Sequence, residues 1–164
     1  MKKLLIFIIS IMVLVGCDIA NTPTSRVEDY LGRYQRLDKS VSLSYTQLAG
    51  SDNIEEDNRN RYQKLVEKQF RNLSYEVKEE VIDGDISYVA VQVKVCNYGD
   101  VIDKYDIDDY GDEDEYHDKV IKELEKQKEK IVYTITFELE LNKKDEWKVS
   151  ELSLEDKDKL LGIY

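Results

Sequence analysis

Histidine occurs once in this chain, at position 117, and proline and tryptophan also occur once each. A lone histidine excludes multi-histidine zinc sites and leaves a Ser-His-Asp arrangement without support from the rest of the chain. Its place beside a run of charged residues makes His117 an expected surface residue. No Gly-x-Ser-x-Gly elbow, phosphate-cradling glycine loop or nucleophile box occurs. Carboxylate pairs suited to glycoside or peptide hydrolysis carry no information here, because the chain holds 35 acidic residues. Cysteine is scarce too: only Cys17 and Cys96 occur.

The N-terminus is patterned. Lys2 and Lys3 precede an apolar run, Leu4 to Val15, interrupted only by Ser10. The run falls short of the roughly 20 residues that a spanning helix needs and matches a secretory leader. It closes on Leu14-Val15-Gly16-Cys17, which resembles the processing box of bacterial lipoprotein precursors. That resemblance implies a diacylglyceryl group on the Cys17 thiol and removal of residues 1–16. Two acyl chains hold a protein stably where one holds it marginally. The resemblance also implies that Asp18 favours inner-membrane retention in double-membraned bacteria. The expected partner is therefore membrane lipid, through a covalent anchor at the outer face of the cell membrane, with no other cofactor. With Cys17 acylated, Cys96 has no partner for an intramolecular disulfide, and a small residue packed in a strand is its expected role.

The formal charge is −11, and loss of Lys2 and Lys3 with the leader makes it more negative still. Such a chain is repelled by phosphate backbones, so nucleic acid is not an expected partner. Residues 17–164 suffice for one domain. Residues 17–24 read as the lipidated cysteine and a short tether, and 25–164 as the domain.

Within the domain, Ser25 and Glu28 form a Ser-x-x-Glu capping box ahead of Val27, Tyr30, Leu31, Tyr34 and Leu37 at helical spacing. A second helix is expected with Asn53 as its cap, Glu56 three residues on, and a stripe of Tyr62, Leu65, Val66, Phe70 and Leu73. The period then changes to two. Tyr75, Val77 and Val81 alternate with charged residues, and Asp83-Gly84 marks a hairpin turn. A return strand over 86–97 sets Val89, Val91, Val93 and Val95 against Tyr88, Ala90, Gln92, Lys94 and Cys96. A third strand, 131–141, and a fourth carrying Trp147, Val149, Leu152 and Leu154 complete the pattern. An acidic insertion at 100–118 and a helix with Val120, Ile121 and Leu124 lie between the hairpins. One polar face per strand means an antiparallel sheet covered on one side. The expected class is α+β, with helices packed on one face of a four-stranded antiparallel sheet.

The element order, with the segments Arg26-Val-Glu-Asp-Tyr-Leu-Gly-Arg-Tyr, Arg61-Tyr-Gln-Lys-Leu-Val-Glu-Lys-Gln-Phe and Glu146-Trp-Lys-Val, resembles a group of small bacterial lipoproteins. Their domain is similar to the cystatin-like, nuclear-transport-factor-like cone, in which a curved sheet wraps helices. The resemblance implies no catalytic residues.

Two sets of residues are candidate sites. Asp106-x-Asp108-x-Tyr110-Gly111 begins like an EF-hand loop but has Tyr110 at the fifth position and His117 at the twelfth, where the bidentate Glu belongs. A looser cation site among Asp103, Asp106, Asp108, Asp109, Asp112 and Asp114 stands against a solvated acidic loop. Tyr75, Tyr88 and Tyr133, on strands, either line a cone-shaped ligand cavity or fill the edge of a small core. Together these features favour a non-enzymatic lipoprotein that binds an envelope component or a small ligand. The alternatives are an enzyme using carboxylate and tyrosine in the cone, an immunity-type inhibitor steered to a basic partner, and a weak divalent-cation binder.

Overall fold

The computed structural model describes residues 21–41 and 43–164, so Cys17 and the leader lie outside the described residues. The chain runs α1 (Pro23–Gln35), α2 (Thr46–Ala49), α3 (Glu56–Arg71), β1 (Ser74–Asp83), β2 (Ile86–Cys96), α4 (Gly99–Ile102), a 3-10 turn (Ile107–Asp109), α5 (Glu113–Lys126), β3 (Lys130–Leu141), β4 (Trp147–Val149) and α6 (Leu154–Leu161). It is an α+β fold whose strands form one open antiparallel sheet in the order β1-β2-β3-β4.

The β2–β3 ladder runs unbroken from Ile86 opposite Glu140 to Cys96 opposite Lys130. Its inner face carries Val89, Val91, Val93 and Val95 with Ile135, Phe137 and Leu139, all fully buried. Val27 and Leu31 of α1, Tyr62, Leu65, Val66 and Phe70 of α3, Ile121 and Leu124 of α5, and Leu160 and Leu161 of α6 belong to the same core. The outer face alternates with it and stays exposed, as at Tyr88 and Val132.

Helix boundaries differ from the expected ones for local reasons. The capping box sits three residues earlier than Ser25. Thr22 is the cap, its hydroxyl accepts from the Ser25 N–H at 3.2 Å, and the Ser25 hydroxyl accepts from the Thr22 N–H at 3.2 Å. Pro23 fits the first turn, where its missing N–H costs nothing. Asn21 to Thr24 therefore belong to the folded unit rather than to the tether. Asn53 does not cap α3; its own N–H donates to the Ser51 hydroxyl, and Glu55 precedes the helix with no side-chain cap. Glu56 and Asp57 at the start and Lys68 and Arg71 at the end complement the helix dipole instead.

The sheet departs from strict alternation once. Tyr75 and Val77 pair with Val93 and Val91, but the register shifts between Val77 and Glu79, so that Glu80 pairs with Val89 and Val81 with Tyr88. This bulge turns Val81 to the outer face. It carries Glu80 to the inner side, where its carboxylate accepts from the Thr24 N–H at 2.9 Å and the Thr24 hydroxyl at 2.6 Å.

Two further expectations are corrected. The fourth strand ends at Val149, and Leu154 opens α6 with 73% of its surface exposed. Ser153 stops the strand pattern by capping that helix, accepting from the Asp156 N–H at 3.1 Å. His117 is not a surface residue: it is 2% exposed, on the face of α5 that packs against α3. The stretch 100–118 holds α4, the 3-10 turn and the first turns of α5, with Asp112 capping α5. No helix among the described residues is long and apolar enough to cross a membrane.

Candidate functional site

One cavity, of about 370 Å³, opens between α1, the α2 segment and α6. Its floor is apolar: Tyr30 and Tyr34 of α1, Phe70 of α3, and Leu160 and Leu161 of α6. Its rim is polar apart from the exposed Leu154: Ser44, Thr46, Gln47, Glu151 and Lys157. Spacing of four residues on α1 puts the two tyrosines one turn apart. Their ring centroids lie 5.4 Å apart and their hydroxyls 3.3 Å apart. Tyr30 rests edge-on against Phe137 of the sheet at 5.9 Å, and Tyr34 packs at a tilt of 39° against Phe70 at 4.8 Å, so packing fixes both rings.

Burial, then the hydrogen bond to Tyr34, pushes the Tyr30 phenol well above its ordinary pKa, so it stays neutral and hydrogen-bonding. Glu151 is held below the usual carboxylate range by Lys157, whose amine lies 2.9 Å away, and its side chain is 86% exposed. Gln47 spans to Asp158 at 3.0 Å and Ser44 meets Thr46 at 2.5 Å, which orders the rim. Hydroxyls beside an apolar floor of packed rings suit a ligand with an apolar face and hydroxyl groups.

The tyrosines expected from the strand pattern are divided between faces. Tyr75 and Tyr133 flank Val93 in one row of the sheet, on the inner side, and Tyr88 stands on the outer face. Tyr75 lines a shallow depression of about 260 Å³ at the β1 edge. The Tyr133 hydroxyl donates to the Tyr164 carbonyl at 2.6 Å. None of the three lines the α1–α6 cavity. Tyr30 and Tyr34 do, and their helical spacing marked them only as part of a core stripe.

The aspartates serve local structure. Asp106 accepts from the Asp108 N–H at 3.0 Å and Asp112 from the Asp114 N–H at 3.2 Å. Asp114 in turn lies close enough to Glu55 to raise that carboxyl above its ordinary value. Among the described residues no three His, Cys, Asp or Glu side chains converge into a metal-holding group.

A second cavity, of about 420 Å³, lies at the other side of α1 and is lined by Arg26, Arg33, Trp147 and Lys148 among others. A third depression, of about 320 Å³, holds Lys68, Lys128 and Lys130 above Cys96, whose buried thiol is pushed up by desolvation.

No protein-family model matches the chain, and no curated protein matches it.

Proposed function

We propose that the protein is an extracytoplasmic lipoprotein, held at the outer face of the cell membrane by a diacylglyceryl group on Cys17, whose cystatin-like cone binds a small ligand. The leader and its Leu14-Val15-Gly16-Cys17 box support the anchor. The observation that carries the binding role is the α1–α6 cavity, with a floor of mutually packed, tilted aromatic rings and an ordered polar rim. Its volume of about 370 Å³ falls within the range of small-molecule sites. A binding role fits better than catalysis, because the carboxylate beside Tyr30 is Glu151, exposed and already paired with Lys157.

Mass spectrometry of the membrane-extracted protein tests the anchor: an unmodified Cys17 thiol on an intact precursor overturns it. A thermal-shift screen with small hydroxylated amphiphiles tests the cavity. A ligand at a hundred times its Kd stabilises the fold by about 2.7 kcal/mol. The reading expects such a shift in the native protein and its loss in Thr46→Trp, which fills the mouth. Shifts that persist in Thr46→Trp, or none at all, overturn it.

A further inference from the structure

The end of the domain that carries Asn21 also carries three lysines that make no ion pair among the described residues. Asn21 is held twice by the β3–β4 hairpin: its side-chain amide donates to the Asp145 carbonyl, and its Oδ1 accepts from the Trp147 N–H at 3.1 Å. Asn21 lies four residue steps beyond Cys17. Fully extended at about 3.5 Å per residue they reach roughly 14 Å. The 11 residues of β2 span about 36 Å at strand rise. A lipid on Cys17 therefore brings the β3–β4 hairpin close to the bilayer, and holds the Cys96 end of an upright sheet away from it.

The hairpin is chemically suited to that position. Lys143, Lys144 and Lys148 make no ion pair among the described residues, whereas seven other lysines do. Beside them, the Arg26 Nε is a buried N–H with no acceptor among the described residues. Arg26, Lys148, the half-buried Trp147 and Arg33, the last paired with Asp29, line one cavity of about 420 Å³ together with Glu146. Tryptophan and cations together are the residues that settle at the headgroup level of a bilayer. In a chain of net charge −11 such a cluster stands out against its background. Asp83 and Asp85 in the adjoining β1–β2 turn, and Asp145 and Glu146 within the hairpin loop, oppose an anionic surface, so the contact falls to Lys143, Lys144 and Lys148 rather than to the whole end of the sheet.

We infer that the β3–β4 hairpin is a membrane-docking surface for anionic phospholipid headgroups, which stands the tethered domain upright on the bilayer. The inference rests on the lipoprotein reading of Cys17. The domain as a whole is repelled by anionic lipid; Lys68, Lys128 and Lys130 gather at the Cys96 end, away from the tether, whereas the hairpin lysines lie at the end that Asn21 joins, and docking there turns the α1–α6 cavity to a fixed orientation.

Trp147, the single tryptophan, reports the contact directly. Full-length lipidated protein is reconstituted into vesicles of phosphatidylcholine with phosphatidylglycerol, and Trp147 emission is quenched with a headgroup spin-labelled lipid. Flotation of the vesicles and the mass of the Cys17 peptide establish anchoring independently. Docking predicts strong quenching that weakens in high salt and in vesicles of phosphatidylcholine alone. It also predicts that the triple variant K143E/K144E/K148E loses about fivefold in the docked-to-undocked ratio for each lysine removed. These lysines are exposed and unpaired, so the variant keeps its fold, which circular dichroism checks. Anchored protein whose Trp147 escapes quenching, or whose quenching ignores both salt and the triple variant, overturns the docking surface and leaves the anchor standing. Protein that fails to float, with Cys17 unmodified, overturns the anchor and the docking surface with it.

Discussion

Gln69 holds Cys96 as a neighbouring strand would. Its Nε2 donates to the Cys96 carbonyl at 2.9 Å, and its Oε1 accepts from the Cys96 N–H at 3.0 Å. The same Nε2 donates to the Leu161 carbonyl at 2.7 Å, and the Gly99 N–H donates to the Gly162 carbonyl at 2.7 Å. One buried amide on α3 thus fastens the end of β2 to the C-terminal helix. That helix forms part of the floor and rim of the candidate cavity, so cavity shape depends on a contact at the far end of the sheet.

Gln69→Leu keeps much of the side-chain volume and removes the three bonds that the amide makes. It strands the Leu161 carbonyl and the Cys96 N–H, each worth about 1–3 kcal/mol if left unsatisfied, while the Cys96 carbonyl keeps the Tyr98 N–H at 3.0 Å. Partial rescue by water lowers the sum, and a loss of about 3 kcal/mol is expected in urea unfolding. A loss below 1 kcal/mol would show that the clamp is dispensable.

Gly162 is the second half of the same contact. Its φ is 75°, and a Cβ built there would lie 2.0 Å from the Cys96 carbonyl oxygen and 2.8 Å from Gln69 Nε2. Gly50, with φ 72°, has nothing within 4 Å of its Cβ position. Gly50→Ala therefore measures the conformational cost alone, about 1–2 kcal/mol. Gly162→Ala adds a backbone clash and is expected to cost several kcal/mol or to abolish folding. Equal losses in the two variants, read by thermal unfolding, would mean that the C-terminal helix shifts freely.

The features legible in the sequence were the periodic ones. β2 and β3 alternate over their whole length, and the α3 stripe of Tyr62, Leu65, Val66 and Phe70 needs only one face. The misses come from single residues. One extra residue near Lys78 reverses the faces of Val81 and Glu80, and no local pattern announces a bulge. α6 has eight residues, too few for a period to emerge beside the preceding strand. His117 sits in a run of charges, yet Tyr62, 55 residues earlier, takes it into the core. The cavity lining was hidden for the same reason: Tyr30 and Tyr34 read as core because core and cavity floor have one hydropathy.

Glu80 gives the bulge a purpose. Its carboxylate takes the N–H and hydroxyl of Thr24 in the first turn of α1, where a negative charge also meets the positive end of the helix dipole. Glu80→Ala is expected to cost about 1–2 kcal/mol, and Glu80→Gln less, since the amide oxygen still accepts. Chemical denaturation of both variants checks the order. An alanine variant as stable as the wild type would mean that water caps α1 equally well.

His117 makes stability depend on pH. Burial between α3 and α5 pushes its imidazole below the ordinary value of 6.5, against the opposing pull of Glu113 and Asp114. The Tyr62 hydroxyl lies 3.1 Å from its Nδ1, and the Tyr62 and Tyr116 rings pack against it edge-on. A neutral buried histidine must take up a proton when the chain unfolds in mild acid. In that window the unfolded state binds more protons than the folded one, so stability is full above 6.5 and is lost as pH falls below it. The slope is at most about 1.4 kcal/mol per pH unit for one proton. Glu55 acts in the opposite direction: Asp114 raises its carboxyl above the ordinary 4.5, so its repulsion is relieved as pH falls. Comparison with His117→Gln removes that background, because Glu55 titrates in both proteins. Urea unfolding at neutral pH and at about one unit below the ordinary imidazole pKa should show the wild type losing stability that His117→Gln retains. Parallel curves for the two proteins would place the His117 proton uptake outside the unfolding reaction.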